Sequence, residues 1–240
     1  ELSEKSHASE ATIVRTCKKL GYQGYYHLKI ALAKEVINPD NSYPENTDFS
    51  DITSLATFLL KKQAEDLIQS TQFFNADVLE SILKLLANCD TIFFFAAGNS
   101  NPLAVYSAYK FSQLGLKTVV HVSPEMQINA AYSMGKRDLA IGISNSGSTN
   151  LMVDIFKVVK ERGAKSVCIT NYIKSPLSKL STHQLNTAVS DKIFFEAFDS
   201  TRVPAMGVID MLVLLFMYKN KAHYEKYRTR EEFLGSRFKG

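Results

Sequence analysis

The sequence contains no tryptophan and only three cysteines among its 240 residues. Cys17, Cys89 and Cys168 lack the spacing of metal ligands, and an odd number of thiols cannot all pair with one another. The simplest interpretation is a set of free, buried thiols in a reducing compartment. The sequence therefore predicts neither a disulfide framework nor a metal site, and it indicates no cofactor.

A long apolar segment is also missing, because the longest run near the C-terminus, Met211–Tyr218, is too short to span a bilayer. No signal peptide is visible, although the chain begins with Glu1 rather than Met, which suggests that its true start has been lost. Hydrophobic residues make up 45% and charged residues 22%, as in soluble globular proteins. We therefore expect a cytoplasmic protein, whose net charge of +4 favours anionic partners only weakly.

The most informative stretch runs from Leu139 to Gly163. Leu139–Ile143 is a short apolar run typical of a buried strand, and Ser144–Thr149 contains only hydroxyl, amide and glycine residues. Apolar residues at helical spacing predict a helix over Leu151–Arg162, with Gly163 as its stop. A strand, a small-residue loop and a helix N-terminus can bind an anion, because the first-turn N–H groups have no partner within the helix. An ordinary capped turn would show the same pattern.

A second loop of this kind occurs earlier in the chain. Thr91–Ala97 reads as a buried strand, Gly98–Asn101 as an uncharged loop, and Pro102 as the start of a helix. Ligands of open parallel sheets bind at the carboxyl ends of the strands. Two such loops therefore predict a shared phosphate-binding site.

Strands and helices alternate from Thr91 onward, which predicts a parallel sheet with helices on both faces. The predicted strands are Thr91–Ala96, Thr118–Val122, Leu139–Ile143, Val167–Thr170 and Ile193–Phe195. The predicted helices of this region are Pro102–Leu114, Met126–Ser133, Leu151–Arg162 and Val203–Tyr218, with a short turn near Pro176–Leu180. The basic segment Lys219–Lys239 is interpreted as a solvated tail.

The loop residues identify a family. Ser144-Asn145-Ser146-Gly147-Ser148-Thr149 resembles the S-x-S-G-x-T signature of sugar isomerase (SIS) domains, and Gly98-Asn99-Ser100 resembles their first phosphate-side loop. The resemblance implies an α/β fold, a three-layer αβα sandwich with a five-stranded parallel sheet, in which both loops bind a sugar phosphate. It also places Glu196, Ser200 and Arg202 beside the sugar pocket.

The N-terminal segment has the layout of a helix-turn-helix motif. Ser9 is expected to cap a helix with an inward stripe of Ile13, Cys17 and Leu20. The runs Ser9–Arg15 and Lys19–Tyr25 resemble the N-terminal domain of RpiR-type bacterial regulators, with the first helices of that domain absent. This helix is expected to lie in the major groove of DNA. The residues expected to contact the DNA are Ser9, Ala11, Thr12, Arg15 and Lys19.

Composition divides the chain into three parts. Residues 1–37 form a partial all-α helix-turn-helix domain, and residues 38–50 form a polar linker with two prolines. Residues 51–240 form the SIS domain, which begins with amphipathic helices over Ser54–Phe74 and Val78–Leu86. In RpiR-like regulators such helices often pair subunits; a helical layer over the sheet would show the same pattern.

Isomerase chemistry would need a positioned acid and base. Glu196, His121, Glu125 and His183 are the candidates, and none forms an identifiable pair with another group. Ser148 also stands where many SIS domains carry Glu. Glu196 can instead accept hydrogen bonds from sugar hydroxyls, and Ser200 can also cap the last helix.

Two functions from different classes remain. The first is a DNA-binding transcriptional regulator whose SIS domain senses a phosphorylated sugar without turnover, acting as a homodimer or higher oligomer on an inverted-repeat operator. The second is a sugar-phosphate isomerase with a helical N-terminal extension. The segment Ser9–Tyr25 favours the first. A purely structural oligomerisation module would leave both hydroxyl loops unexplained. The identity of the sugar, and whether it promotes or relieves DNA binding, cannot be read from the sequence.

Overall fold

A computed structural model describes residues 6, 8–22, 24, 25, 28, 51–188 and 202–238. The chain divides into two compact units, Glu1–Ile52 and Thr53–Gly240. The predicted helix over 25–37 and the linker over 38–50 lie almost wholly outside the described residues.

The first unit contains helix α1, Glu10–Lys19, which begins where the sequence predicts. The Ser9 hydroxyl oxygen accepts a hydrogen bond from the Thr12 N–H at 3.2 Å. Cys17 is buried, but Leu20 is 62% exposed and does not belong to the predicted inward stripe. The reason is that α1 ends at Lys19 and the chain turns at Gly21, whose φ is +87°.

The second unit is built on five parallel strands in the order β2-β1-β3-β4-β5. The strands are β1 Ile92–Ala96, β2 Thr118–Val120, β3 Leu139–Ile143, β4 Lys165–Thr170 and β5 His183–Asn186. The predicted fold class is confirmed. A further strand was predicted at Ile193–Phe195, which lies outside the described residues. The strand β5 at His183–Asn186 was not predicted; it is short and polar, and it carries only one large apolar residue, Leu185.

Eight further helices are described, and all of them lie in the second unit except for Ile52, the first residue of the first of these helices. They are α2 Ile52–Ser70, α3 Ala76–Asn88, α4 Asn101–Gln113, α5 Pro124–Ser133, α6 Asn150–Glu161, α7 Pro176–Leu180, α8 Val203–Lys219 and α9 Lys221–Phe238. Short 3-10 turns occupy Thr71–Phe73 and Gly98–Ser100.

Helix α9 corrects the prediction of a solvated tail. Its charges lie at helical spacing, so that Arg228 pairs with Glu225 at 2.9 Å and with Glu232 at 3.5 Å. His223 Nδ1 lies 2.7 Å from the carbonyl oxygen of Leu114, which attaches the helix to the end of α4. The helical spacing of these charges was not recognised from the sequence, because the segment was interpreted only from its basic composition.

Two apolar layers cover the two faces of the sheet. Phe94 packs against Phe111 of α4 in the layer that also includes α3 and α8. Phe93 and Phe95, which point to the opposite face because side chains alternate along a strand, belong to the layer with α5, α6 and α7. The sheet is therefore the middle of a three-layer sandwich.

Asp210, the only charged residue between Val203 and Tyr218, anchors α8 to α4. The Tyr106 hydroxyl donates a hydrogen bond to Asp210 Oδ1 at 2.6 Å, and Lys110 Nζ lies 3.9 Å from the same oxygen. Desolvation, together with this hydrogen bond, raises the pKa of Tyr106 to about 12.

Tyr106→Phe should lower the free energy of unfolding by about 1 kcal/mol, because the hydrogen bond to a partly exposed carboxylate is lost. The raised pKa keeps the phenol neutral in the folded protein, so stability of the unaltered chain should fall as pH rises from 10 towards 12. Urea unfolding at several pH values tests both effects. Tyr109→Phe is the matched control, since Tyr109 is 55% exposed on the same helix; equal losses for the two variants would contradict the prediction.

The three thiols are free, as predicted. Cys17 and Cys168 are buried and Cys89 is partly buried. Burial raises the pKa of Cys89 and of Cys168 to about 11.

None of the described helices is by itself long and apolar enough to cross a membrane; Val203–Lys219 and Lys221–Arg237 would suffice only together, and they are bent by 109° where they meet. Among the described residues, no cluster of three or more His, Cys, Asp or Glu could hold a metal ion.

Candidate functional site

The candidate site lies where β1 and β3 end side by side. The two strands pair in parallel up to Ala96 and Ile143, so their following loops leave the sheet at the same level. Helix α4 packs with the layer on one face and α6 with the layer on the other. The two connections therefore leave the sheet towards opposite faces, and open α/β sheets bind their ligands at the point where this happens.

The loop after β1 forms a tight 3-10 turn at Gly98–Ser100. Gly98 has φ +55°, and the Ser100 N–H donates to the Ala97 carbonyl at 3.2 Å. Gly98 and Asn99 are exposed, whereas Ser100 is buried. No side-chain oxygen caps α4, and Pro102 in its first turn has no N–H to satisfy.

The loop after β3 is held by its own hydroxyls. The Gly147 N–H donates to the Ser144 carbonyl at 3.1 Å and to the Ser144 hydroxyl at 3.2 Å. Ser146 Oγ accepts from the Ser148 N–H at 3.3 Å and from the Ser148 hydroxyl at 3.0 Å. Ser144 is buried and shapes the loop, while Ser146 and Ser148 are partly exposed and Thr149 is exposed.

Gly147 occupies a position that a larger residue cannot take. Its φ is +60°, and an added Cβ would lie 2.3 Å from Ser175 Oγ and 2.8 Å from Thr170 Oγ1. The Gly147 carbonyl accepts from the Leu177 N–H at 2.9 Å. The loop is therefore packed against the end of β4 and the start of α7.

The electrostatics of both loops come from the backbone. Thr149 precedes α6 without a side-chain cap, so its hydroxyl does not occupy the N–H groups of the first turn. The segments 96–101 and 144–150 contain no charged residue. An anion at this edge would meet two helix N-termini and neutral hydroxyl donors.

A cleft next to these loops brings together residues from five segments. It is lined by Ser100, Leu103, Ile143, Asn145, Ile169, Thr170, Asn171, Thr187, Arg202 and Ala205. Of the residues predicted from sequence, Ser100, Asn145 and Arg202 meet here. Glu196 and Ser200 lie outside the described residues.

Sequence reasoning missed Thr170, Asn171 and Thr187, which follow or end β4 and β5. The Thr170 hydroxyl donates to the Asn145 carbonyl at 3.1 Å, and the Thr187 hydroxyl donates to Asn171 Oδ1. The sequence pattern that could have identified Thr170 and Asn171 was present at β4, where polar residues follow a buried strand as they do after β1 and β3. At β5 it was hidden, because the strand itself was not predicted.

Of the acid and base candidates, His121, Glu125 and His183 do not line the cleft, and Glu196 lies outside the described residues. His121 lines a separate groove of about 350 Å³ beside β2 and α5, together with Phe93 and Met126. His183 lies in β5, where desolvation and the nearby Lys165 lower its pKa. Within the described ranges, the cleft lining contains no Asp, Glu or His.

Comparison with known proteins identifies both parts of the chain. Residues 85–215 match the SIS domain family, and residues 1–39 match the helix-turn-helix domain of the rpiR family. An uncharacterised HTH-type transcriptional regulator of Caldanaerobacter subterraneus is 30% identical over 232 residues, covering 95% of this chain and 81% of the relative. The chain belongs to the RpiR family of regulators.

Two further matches extend this assignment. An uncharacterised HTH-type transcriptional regulator of Clostridium perfringens is 29% identical over 214 residues, which cover 88% of this RpiR-family chain and 77% of the relative. The structure of Vibrio vulnificus NanR complexed with ManNAc-6P superposes with a TM-score of 0.75 at 25% identity, over 97% of this chain and 83% of NanR.

Proposed function

We propose that this RpiR-family chain is a transcriptional regulator whose SIS domain binds a phosphorylated sugar and thereby alters the affinity of its helix-turn-helix domain for operator DNA. The observation that carries the proposal is the pair of uncharged loops after β1 and β3, each placed before a helix that lacks a side-chain cap. Phosphate monoesters suit such a site because backbone N–H groups and hydroxyls can donate to all their oxygens.

The ligand site is proposed to combine two regions. Residues of the two loops hold the phosphate: Gly98, Asn99, Ser100, Ser144, Asn145, Ser146, Gly147, Ser148 and Thr149. The sugar lies towards Arg202, and the proposal keeps Glu196 and Ser200 beside it by family resemblance. ManNAc-6P, bound by the Vibrio vulnificus protein, is the first compound to test.

A thermal-shift screen of sugar phosphates, each paired with its unphosphorylated sugar, tests this function. A ligand at about 100 times its dissociation constant should add roughly 2.7 kcal/mol to the free energy of unfolding. Equal stabilisation by a sugar and by its phosphate would refute a phosphate-directed site.

Ser146→Ala should weaken sugar-phosphate binding by about 1.5–3 kcal/mol, because one hydrogen bond to a charged group is lost. Isothermal titration calorimetry with the best compound of the screen measures the change. Ser112→Ala is the control, since the Ser112 hydroxyl bonds only the Tyr109 carbonyl on the exposed side of α4. Unchanged affinity of the Ser146 variant would remove this hydroxyl from the site.

The proposed regulator has no enzymatic turnover. The described cleft lining offers Arg202 but no carboxylate or imidazole to move a proton between carbons. Incubation with aldose and ketose phosphates, followed by product analysis, separates this proposal from a sugar-phosphate isomerase. Turnover above about 1 per second would favour the isomerase.

The DNA contacts are proposed to come from α1, with residues 1–37 as the DNA-binding domain, 38–50 as linker and 51–240 as the SIS domain. Ser9, Ala11, Thr12, Arg15 and Lys19 would face the major groove of an operator in the cytoplasm. A homodimer would read an inverted repeat with half-sites about one helical turn, or a multiple of it, apart.

Helices α2 and α8 are the proposed pairing surfaces. Both expose large apolar side chains, including Leu60 and Ile68 of α2 and Leu214 and Tyr218 of α8, each more than half exposed. Sedimentation equilibrium of the chain tests this arrangement. A monomer at every concentration would exclude it.

A further inference from the structure

Gln127, in the first turns of α5, is almost completely buried although its side chain is polar. Its carboxamide forms two hydrogen bonds with the last residue of β1. The Ala96 N–H donates to Oε1 at 3.2 Å, and Nε2 donates to the Ala96 carbonyl at 2.9 Å. Nε2 also lies 3.4 Å from the Val122 carbonyl, just beyond β2.

The strand pairing explains why Ala96 needs this partner. Strand β2 pairs with β1 only as far as Val120 opposite Phe94, so β1 extends two residues beyond its neighbour. Ile92 donates its N–H to Lys117 on the β2 side. Because alternate residues of a parallel strand bond the same neighbour, Ala96 also faces the side where β2 has ended.

The Gln127 carboxamide therefore takes the place of the two peptide groups that would flank a further β2 residue opposite Ala96. It presents the one acceptor and the one donor that these peptide groups would have supplied. Without it, the N–H and C=O of a buried residue would lose their partners.

This bond pair fixes the origin of the first loop. Ala97 follows in an extended conformation, and the Gly98–Ser100 turn begins at the next residue. Ser100 closes that turn by donating its N–H to the Ala97 carbonyl. The position of the loop relative to the loop after β3 depends on where β1 ends.

We infer that Gln127 is a positioning residue for the Gly98–Ser100 loop, acting through the backbone of Ala96 and not by contact with the ligand. The inference rests on the proposed function in one respect, that this loop receives a phosphate group.

Gln127→Met tests the inference, because methionine has a similar volume but neither donates nor accepts a strong hydrogen bond. Amide hydrogen exchange, followed by NMR without ligand, should accelerate at least about tenfold at Ala96 and Gly98–Ser100 and remain unchanged at Ser146–Ser148. Titration with inorganic phosphate, followed at the Gly98 amide, should show affinity weakened about tenfold.

Ser166→Ala is the matched control. Ser166 is buried at the opposite, amino end of β4, where Oγ accepts from the Thr182 N–H at 3.2 Å. This variant also loses a buried hydrogen bond, so its stability should fall, but exchange in the Gly98–Ser100 loop and phosphate affinity should stay unchanged. Equal loop exchange in the Gln127 and Ser166 variants would overturn the inference.

A measurement on the unaltered protein covers the case in which Gln127→Met does not fold. The Gln127 side-chain NH₂ protons should exchange with solvent at least about a hundredfold more slowly than those of the exposed Gln69 and Gln72. Fast exchange at Gln127 would overturn the inference without any variant. If the unaltered chain binds no phosphate while Gln127→Met still loosens the loop, the proposed function fails and the positioning role stands.

Discussion

Gly147→Ala should leave a folded protein that binds its sugar phosphate at least about a hundredfold more weakly than the unaltered chain. The new Cβ would lie 2.3 Å from Ser175 Oγ and 2.5 Å from Ser175 Cβ, so the loop after β3 must move. Displacing it removes two or more hydrogen bonds to the phosphate at about 1.5–3 kcal/mol each. A loss of about 2.8 kcal/mol already corresponds to a hundredfold change in affinity.

The free energy of unfolding should also fall, but not by enough to unfold the protein. A non-glycine residue at φ +60° costs about 1–3 kcal/mol. Displacement of Ser175 would also disturb the cap of α7, where Ser175 Oγ accepts from the Ser178 N–H at 3.1 Å. An ordinary domain has about 5–15 kcal/mol of stability, so the variant should remain folded.

Gly163→Ala separates backbone strain from displacement of the loop. Gly163 has φ +75°, but an added Cβ would meet only the flexible side chain of Lys136, at 3.3 Å, beyond the end of α6. Calorimetric titration should show normal affinity for this control. Affinity within tenfold of the unaltered protein for Gly147→Ala would contradict the proposed phosphate loop.

Replacing Arg15 and Lys19 together by Ala should weaken operator binding by about 2–5 kcal/mol in a protein with its complete N-terminal domain. Both residues are exposed on α1, and they lie four positions apart on one helical face. Loss of a base contact costs about 1–3 kcal/mol of binding free energy. Loss of a phosphate contact reduces the steepness with which the logarithm of the binding constant falls against the logarithm of the salt concentration by about 1.

The control removes the same charge elsewhere. Lys157 and Lys160 are exposed on α6, and replacing both by Ala should leave operator affinity nearly unchanged. Fluorescence anisotropy at several salt concentrations measures affinity and slope together. An unaltered footprint and affinity for the Arg15 and Lys19 variant would exclude this face of α1 from the DNA interface.

The sequence was most informative where one physical requirement determines the residue type. The apolar run Leu139–Ile143 formed a strand with the predicted bounds, because a strand buried on both faces must be continuously apolar. The short turn predicted near Pro176–Leu180 is the five-residue helix α7, since Ser175 and Pro176 are typical residues for a helix start.

Prediction failed where a feature depends on partners far along the chain. His183–Asn186 becomes a strand because it pairs with Val167–Thr170, and its own residues carry little strand signal. Gln127 shows no motif, and its place is determined by the early end of β2. Thr187 enters the cleft only because β5 ends beside β4.

The buried thiols provide built-in reporters of local opening. Alkylating reagents attack the thiolate, and a pKa of about 11 leaves roughly one thiolate in a thousand at pH 8 for Cys89 and for Cys168. Burial at Cys17 and Cys168 excludes the reagent as well. Mass spectrometry of labelling kinetics can therefore time the exposure of β4, through Cys168, separately from that of the N-terminal unit, through Cys17, in the unaltered chain.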